Sequence, residues 1–319
     1  MSDAAYYKPL ILEVAAEDDG KTVRTVLERR LGVSRKLLSR LKLTEHGITL
    51  NGRRVYTNER VRQGDSLALR MEQEQSDDIL PEPMPLDIVY EDPELLIVNK
   101  PPGIVVHPTH GHYTGTLANG VVHHWRERGE IVRFRPIHRL DEETSGLVAI
   151  AKNPYVHQQL SEQMQSGEVD KRYRAYVYGR PAAASGTVDA PIDRNPEAPH
   201  IRIVMPEGYP SVTHYETEAI YGDGAAAKVK LKLETGRTHQ IRVHMKYIGC
   251  PLIGDKLYGY AAEEGAAEGG SAELEAAVRR QALHAATLGF THPITRKYIE
   301  FEADLPQDLR RLEATLREL

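Results

Sequence analysis

Cysteine, long apolar runs and an excess of positive charge are all scarce in this chain of 319 residues. Its one cysteine, Cys250, cannot close an internal disulfide, which excludes a disulfide-stapled scaffold and agrees with a reducing compartment. Cys250 lies in an apolar Ile248-Gly249-Cys250-Pro251-Leu252 turn with no adjacent base in sequence, so it reads as a buried structural thiol rather than a nucleophile. No apolar stretch approaches the roughly 18 to 20 residues that span a bilayer, and the first seven residues lack the basic-then-apolar pattern of a signal peptide. The expectation is a cytoplasmic protein, a monomer with no membrane partner. A formal net charge of −5 argues against indiscriminate coating of nucleic acid.

What the chain does have is the 40% hydrophobic and 27% charged composition of an ordinary globular protein. It is longer than single cores usually grow, so two unequal domains are expected. The charge is unevenly spread: between Lys21 and Arg62 there are 12 basic residues and 3 acidic ones in 42 positions. This window has its own structural grammar. Val23, Val26, Leu27 and Leu31 share one helical face, Gly32 is a stop, and Ser34 is an N-cap for a second short helix carrying Leu37, Leu38 and Leu41. Ile48-Thr49-Leu50 and Val55-Tyr56 then flank Asn51-Gly52, a two-residue hairpin turn, and 65–69 supplies another strand.

The segment 72–85 is polar, then carries Pro81, Pro83 and Pro85, and reads as an extended linker. Beyond it, strand-like runs at 86–90, 95–99, 147–151 and 287–290 alternate with helices at 154–165 and 306–318. Lys228-Val229-Lys230-Leu231-Lys232-Leu233 alternates strictly, which predicts a strand with a buried face and a basic face that could serve core and ligand together. The stretch 261–277 reads as a surface insertion or mobile loop, and 181–211 as a loop bordering a cleft.

The densest polar run beside a core strand is Ile137-His138-Arg139-Leu140-Asp141-Glu142-Glu143-Thr144-Ser145-Gly146. Taken singly, its Asp, Thr, Ser and Gly are turn formers. Together, a His-Arg-Leu-Asp run followed two residues later by Thr-Ser-Gly resembles the signature of RluA/RluD-type pseudouridine synthases. Four more segments fall in that family's order: 99–108, 171–179, 234–255 and 281–285. The basic window, over 12–71, resembles the S-four RNA-binding module.

The resemblance implies an α/β (α+β) fold: a mixed, largely antiparallel bent sheet with a central cleft over 86–319, the linker at 72–85, and the helix-helix-hairpin RNA-binding domain at 12–71. It implies a reaction that breaks the glycosidic bond of a uridine within RNA, turns the uracil and rejoins it through carbon, with no redox step and so no cofactor and no metal. Asp141 would be the catalytic carboxylate, acting as nucleophile or as base. Arg242 would keep it ionised, and Tyr173 would lie against the uracil. The target nucleotide must flip out of its stack, Arg139 filling the gap with help from His138, and Leu283 lining the pocket. Arg24, Arg35, Lys36 and Arg40 would approach phosphates. The partner implied is large-subunit rRNA, with tRNA as runner-up.

Two other readings compete. The histidines together with Asp141 could suggest a metal-dependent hydrolase, but no His-x-x-x-His pair with a helical glutamate is present. A non-catalytic RNA-binding assembly factor would be expected to have lost Asp141, Tyr173 or Arg242, and all three are present.

Overall fold

Capping and turn chemistry bound the elements of the first unit. The computed structural model describes residues 6–260 and 272–319. After β1 (Leu10–Glu13), helix α1 (Val23–Leu31) starts at Thr22, whose hydroxyl accepts the Thr25 N–H, and stops at Gly32 in the left-handed region, φ 62°. Helix α2 (Arg35–Leu41) is capped in the same way by Ser34, which accepts the Leu37 N–H. Strands β2 (Ile48–Leu50) and β3 (Arg53–Arg54) flank Asn51 and Gly52, both at positive φ, and β4 (Ser66–Leu69) completes an antiparallel sheet of order β1-β4-β2-β3. The hairpin's second strand is Arg53–Arg54, two residues before the expected Val55-Tyr56. A two-residue turn puts Arg53 directly opposite Leu50, and the buried Val55 adds one more hydrogen bond, to Ile48 O (3.3 Å), beyond the strand's end.

The rest of the chain runs β5 (Ile88–Glu91), β6 (Leu95–Lys100), α3 (Leu117–Glu127), β7 (Arg135–Pro136), β8 (Ser145–Ala151), α4 (Pro154–Gln165), β9 (Asp170–Tyr178), β10 (Ser185–Asp189), β11 (Ile192–Arg194), β12 (Arg202–Val204), β13 (Val212–Tyr221), β14 (Ala226–Leu233), α5 (Gln240–Tyr247), α6 (Ala272–Ala277), β15 (Leu283–Thr291), β16 (Tyr298–Glu302) and α7 (Gln307–Arg317). Its large sheet has the order β10-β13-β14-β9-β15-β8-β6-β5, with β16 on β15 and β7 on β8. Among the described strands of this sheet only β15 and β8 pair in parallel; the mixed, mostly antiparallel sheet agrees with the expectation.

Because side chains alternate along a strand, the wholly buried β8 and the nearly buried β6, in which only Asn99 is partly exposed, serve two cores. Leu96, Val98, Val148 and Ile150 pack with α3 residues Leu117, Val121 and Trp125, and with Ile241 and Met245 of α5. Leu95, Ile97, Leu147 and Ala149 face the other way, into a cluster that joins Tyr155, Val156 and Leu160 of α4 to Val26, Leu27 and Leu37 of the first unit. Hydrogen bonds close this contact: the Tyr155 hydroxyl donates to Leu31 O (2.8 Å), and Gln158 and Gln159 donate to Gly32 O (2.7 and 2.9 Å).

The segment 72–85 is extended, with no helix and no ladder strand, and it is docked on the rest of the chain: Ser76 is wholly buried and accepts the Phe134 N–H, Asn119 donates to Leu80 O, and Glu74 binds Arg40 and Arg135. Extended backbone laid on protein needs partners for its polar groups, and Glu74 O is met by the Tyr7 hydroxyl, Leu80 O by the Asn119 side chain and the Glu82 N–H by Asn119 O. Three other sequence expectations are corrected. The lysines of β14 pair with Glu313, Glu216 and Asp170, so the basic face of that strand is neutralised by neighbouring acids. The segment 181–211 contains β10 and the β11-β12 hairpin rather than an irregular loop. Of 261–277, residues 261–271 lie outside the described residues, while α6 buries Leu274.

Gly146 sits at the meeting of β8 and β15, opposite Ala285, with φ 118°. A Cβ there would lie 2.2 Å from Ala285 O and 2.6 Å from its N, whereas at Gly167, also at positive φ, nothing lies within 4 Å. Gly146→Ala is expected to destabilise by about 3 kcal/mol or more, from overlap added to strain, and Gly167→Ala by about 1 kcal/mol. Urea unfolding of the two variants checks this; equal losses would contradict the close approach.

Candidate active site

The loop between β7 and β8 carries Asp141, and its backbone is held at three consecutive carbonyls. Asp141 O accepts the Thr144 N–H (3.0 Å), which closes a turn. Glu142 O accepts from Gly103 N (3.0 Å) and from the Lys100 ammonium (2.9 Å). Glu143 O accepts from Arg280 (2.9 Å), which is itself gripped by Asp308 at the start of α7 (2.6 and 3.1 Å). Lys100 is wholly buried; its other two hydrogens go to Pro101 O and Ile104 O, while burial and then the Arg280 charge push its pKa down to about 7.

Helix α5 presents Arg242 to this loop. Arg242 Nη1 lies 3.1 Å from Asp141 Oδ2, and its Nε and Nη2 form a fork to Asp255 at 2.7 and 2.8 Å. The Asp255 side chain is wholly buried and also accepts the N–H groups of Leu257 and Tyr258. Burial works against the Arg242 charge, but the hydrogen bonds and charge of Asp255, then Asp141, raise its pKa above the usual value. The guanidinium also lies 4.9 Å from the Tyr258 ring centroid, a cation–π contact.

A third group stands beside this pair. The Tyr258 oxygen accepts the Arg202 N–H (2.8 Å) and lies 2.8 Å from His239 Nδ1. Burial lowers the pKa of His239, and its Nε2 lies 3.9 Å from Asp141 Oδ2. Asp141 is therefore approached by a guanidinium and an imidazole, yet 28% of its side chain remains exposed, so a reactant can reach it.

Asp141, Arg242, Tyr173, Leu283, His138 and Arg139 all line one cavity of about 870 Å³, the size of site that can enclose a nucleotide. Tyr173 and Leu283 are buried in its wall, and burial followed by the Asp141 charge raises the Tyr173 hydroxyl's pKa. Arg139 is exposed at this cavity. The predicted phosphate-binding residues lie elsewhere, on the first unit: Arg24, Arg35 and Lys36 are exposed there, while Arg40 is held by Glu74. Sequence reasoning did not assign Asp255, Tyr258 or His239. The signal available was that a buried arginine needs a buried counter-charge, and Asp255 stood in the same motif run.

The other histidines of the motifs are bound within the fold. His244 donates from Nε2 to Ala190 O and accepts from Thr213, and His284 donates to Ala303 O and accepts from Ser145. Among the described residues no group of three His, Cys, Asp or Glu side chains is placed to hold a metal ion. Cys250 is buried, which pushes its thiol pKa up.

Comparison with known proteins gives consistent matches. The family model described as RNA pseudouridylate synthase matches residues 94–247, and that of the RluD ribosomal pseudouridine synthase N-terminal domain matches 10–67. The Bacillus subtilis protein named uncharacterized RNA pseudouridine synthase YjbO is 41% identical over 283 residues, covering 88% of this chain and 95% of its own. The Escherichia coli ribosomal large subunit pseudouridine synthase D is 40% identical over 261 residues, covering 81% and 79%. Among solved structures, human RNA pseudouridylate synthase domain containing 1 aligns at a TM-score of 0.54 and 26% identity over 75% of this chain and 98% of its own. Human RNA pseudouridylate synthase domain containing 4 aligns at 0.58 and 23% identity over 72% and 92%, a likeness of fold.

The Arg242–Asp255 pair and the Asp141 carboxylate should separate in stability measurements. Asp255→Ala strands a buried guanidinium and is expected to cost about 3 to 5 kcal/mol. Asp141→Asn, at a partly open position, is expected to change stability by about 1 kcal/mol or less. Denaturant unfolding of both variants checks this; a large loss in Asp141→Asn would make that residue structural.

Proposed function

Since this chain belongs to the RluA/RluD-type family of RNA pseudouridine synthases, we propose that it isomerises a uridine in large-subunit ribosomal RNA, with Asp141 as the catalytic carboxylate. The observation that carries the reading is the partly open Asp141 carboxylate held 3.1 Å from a buried, bidentately fixed Arg242. The enzyme is an isomerase of RNA uridine. The choice of rRNA rests on the relatives named for the large ribosomal subunit and on an N-terminal unit matching the model of their N-terminal domain; tRNA is the second substrate class.

Arg242 places a positive charge beside the Asp141 carboxylate without blocking its open side. The carboxylate can attack the sugar or remove a proton. Tyr173 and Leu283 supply apolar wall for the uracil, and burial keeps the Tyr173 hydroxyl neutral, so that it can serve as a hydrogen-bond donor. Arg139, exposed at the cavity, can stack where the flipped nucleotide leaves a gap. On the first unit, Arg24 and Lys36 are exposed to meet phosphates, Arg35 is exposed beside Glu28 at 4.0 Å, and Arg40 would first have to leave Glu74. We assign that unit, over 12–71, as the RNA-binding domain.

Incubation with unmodified bacterial large-subunit rRNA and bulk tRNA transcripts, followed by carbodiimide labelling and primer extension, is expected to give a new stop in rRNA. That stop should vanish in Asp141→Asn while RNA binding persists. Equal activity in the variant would overturn the role of Asp141, and a stop confined to tRNA would move the substrate.

Arg24→Ala with Lys36→Ala is expected to reduce the slope of log affinity against log salt by about one to two. An unchanged slope would remove the RNA contact from these residues.

A further inference from the structure

Among the described residues, Lys171 has no counter-ion. It lies on β9 two residues before Tyr173, so strand alternation turns both toward the same face, and both line the Asp141 cavity. Arg172, facing the other way, is paired with Asp170 and Glu300. Lys171 has no hydrogen bond or ion pair to any described residue. Burial is what lowers its pKa, with no carboxylate charge acting to restore it. Three acids line the cavity: Asp141 is bound by Arg242, Glu234 by His214, and the Glu142 side chain is exposed and makes no ion pair with Lys171. A partly desolvated ammonium left unpaired in a fold that pairs its neighbours points to a ligand anion.

His138 adds a second unused donor beside it. The backbone N–H of Ala149 can only donate, so His138 Nε2 accepts (3.4 Å). This contact meets an amide left free where β7 ends, and it fixes the tautomer: a neutral imidazole accepting at Nε2 carries its hydrogen on Nδ1. Burial, then the charge of Lys171, lowers the ring's pKa to about 3, so the neutral form is the relevant one. Nδ1 is buried without a partner. An N–H left in this state is unusual in a folded protein and marks a place where a ligand completes the hydrogen bonding.

We propose that Lys171 and the Nδ1–H of His138 form a phosphate subsite that holds a phosphodiester flanking the flipped uridine. Asp141, Tyr173 and Arg242 line the part of the cavity that takes base and ribose. Lys171 stands one strand repeat, about 7 Å, from Tyr173, a step comparable to the reach from a base to its own phosphate. The subsite anchors the nucleotide by its backbone, which every nucleotide shares, and leaves uracil recognition to the wall. It rests on the reading of this cavity as the uridine site and extends it to the phosphate.

The test uses uridine 3′,5′-bisphosphate, the smallest molecule with the base, the ribose and both flanking phosphates, against uridine, binding to the full chain followed by NMR. The wild-type protein should bind the bisphosphate about tenfold or more tightly than uridine, as expected when a charged hydrogen bond is made. Lys171→Met should remove that advantage without changing uridine affinity, and Lys171→Arg should restore most of it. The ¹⁵N spectrum should show the Nδ1–H tautomer of His138 in the free protein, its proton shifting downfield with the bisphosphate and not with uridine. Equal affinity for the two ligands in wild type, no detectable binding of either, or an unchanged advantage in Lys171→Met would each overturn the proposal. Nucleotide binding is read without turnover, so a failure to modify rRNA would count against the proposed substrate and leave this measurement intact.

Discussion

Arg242 is the group on which the geometry of the cavity depends. A buried guanidinium must be neutralised and must have its donors met, and Asp255 does both through a fork that fixes the plane of the group. With two donors so committed, the remaining Nη1 points at Asp141. The same Asp255 carboxylate takes the N–H groups of Leu257 and Tyr258, which sets Tyr258 under the guanidinium and its hydroxyl on His239. One buried ion pair therefore orients three of the groups that surround the proposed catalytic carboxylate.

The backbone of the Asp141 loop is fixed with the same economy. Lys100 from β6 and Arg280 next to β15 each donate to a loop carbonyl, and Arg280 is tied in turn to α7 through Asp308. Gly146 then lets β8 approach Ala285 closely enough for the single parallel pairing among the described strands of the large sheet. Carboxylate and cation come from elements about a hundred positions apart, each held by its own buried charge. This is how a partly open side chain can keep a defined position.

The basic first unit is not a tethered accessory. Its helices share an apolar cluster with β6, β8 and α4, and the polar segment that follows it is stitched to the rest of the chain by Ser76, Leu80 and Glu74. The exposed cations of α1 and α2 are thereby held relative to the cavity, and one RNA could meet both surfaces without an unconstrained link between them.

Local chemistry was legible in the chain itself. The stop at Gly32, the cap at Ser34, the Asn51-Gly52 turn, the alternation of β14 and the polar run around Asp141 all express rules that act over a few residues, and the structure follows them. Family motifs carried Asp141, Tyr173, Arg242 and Leu283 to one site, where the cavity collects them. What the sequence could not decide is which charges meet: the neutralised lysines of β14, the capture of Arg40 by Glu74, the docking of 72–85, and the Asp255–Tyr258–His239 chain behind Arg242. The unpaired Lys171 and the orphaned His138 Nδ1 belong with these. Residue types and their spacing determined the elements and the chemistry available, because those depend on neighbours along the chain. The pairing of charges was decided by tertiary structure alone, because desolvation and distance exist only once distant segments are packed together.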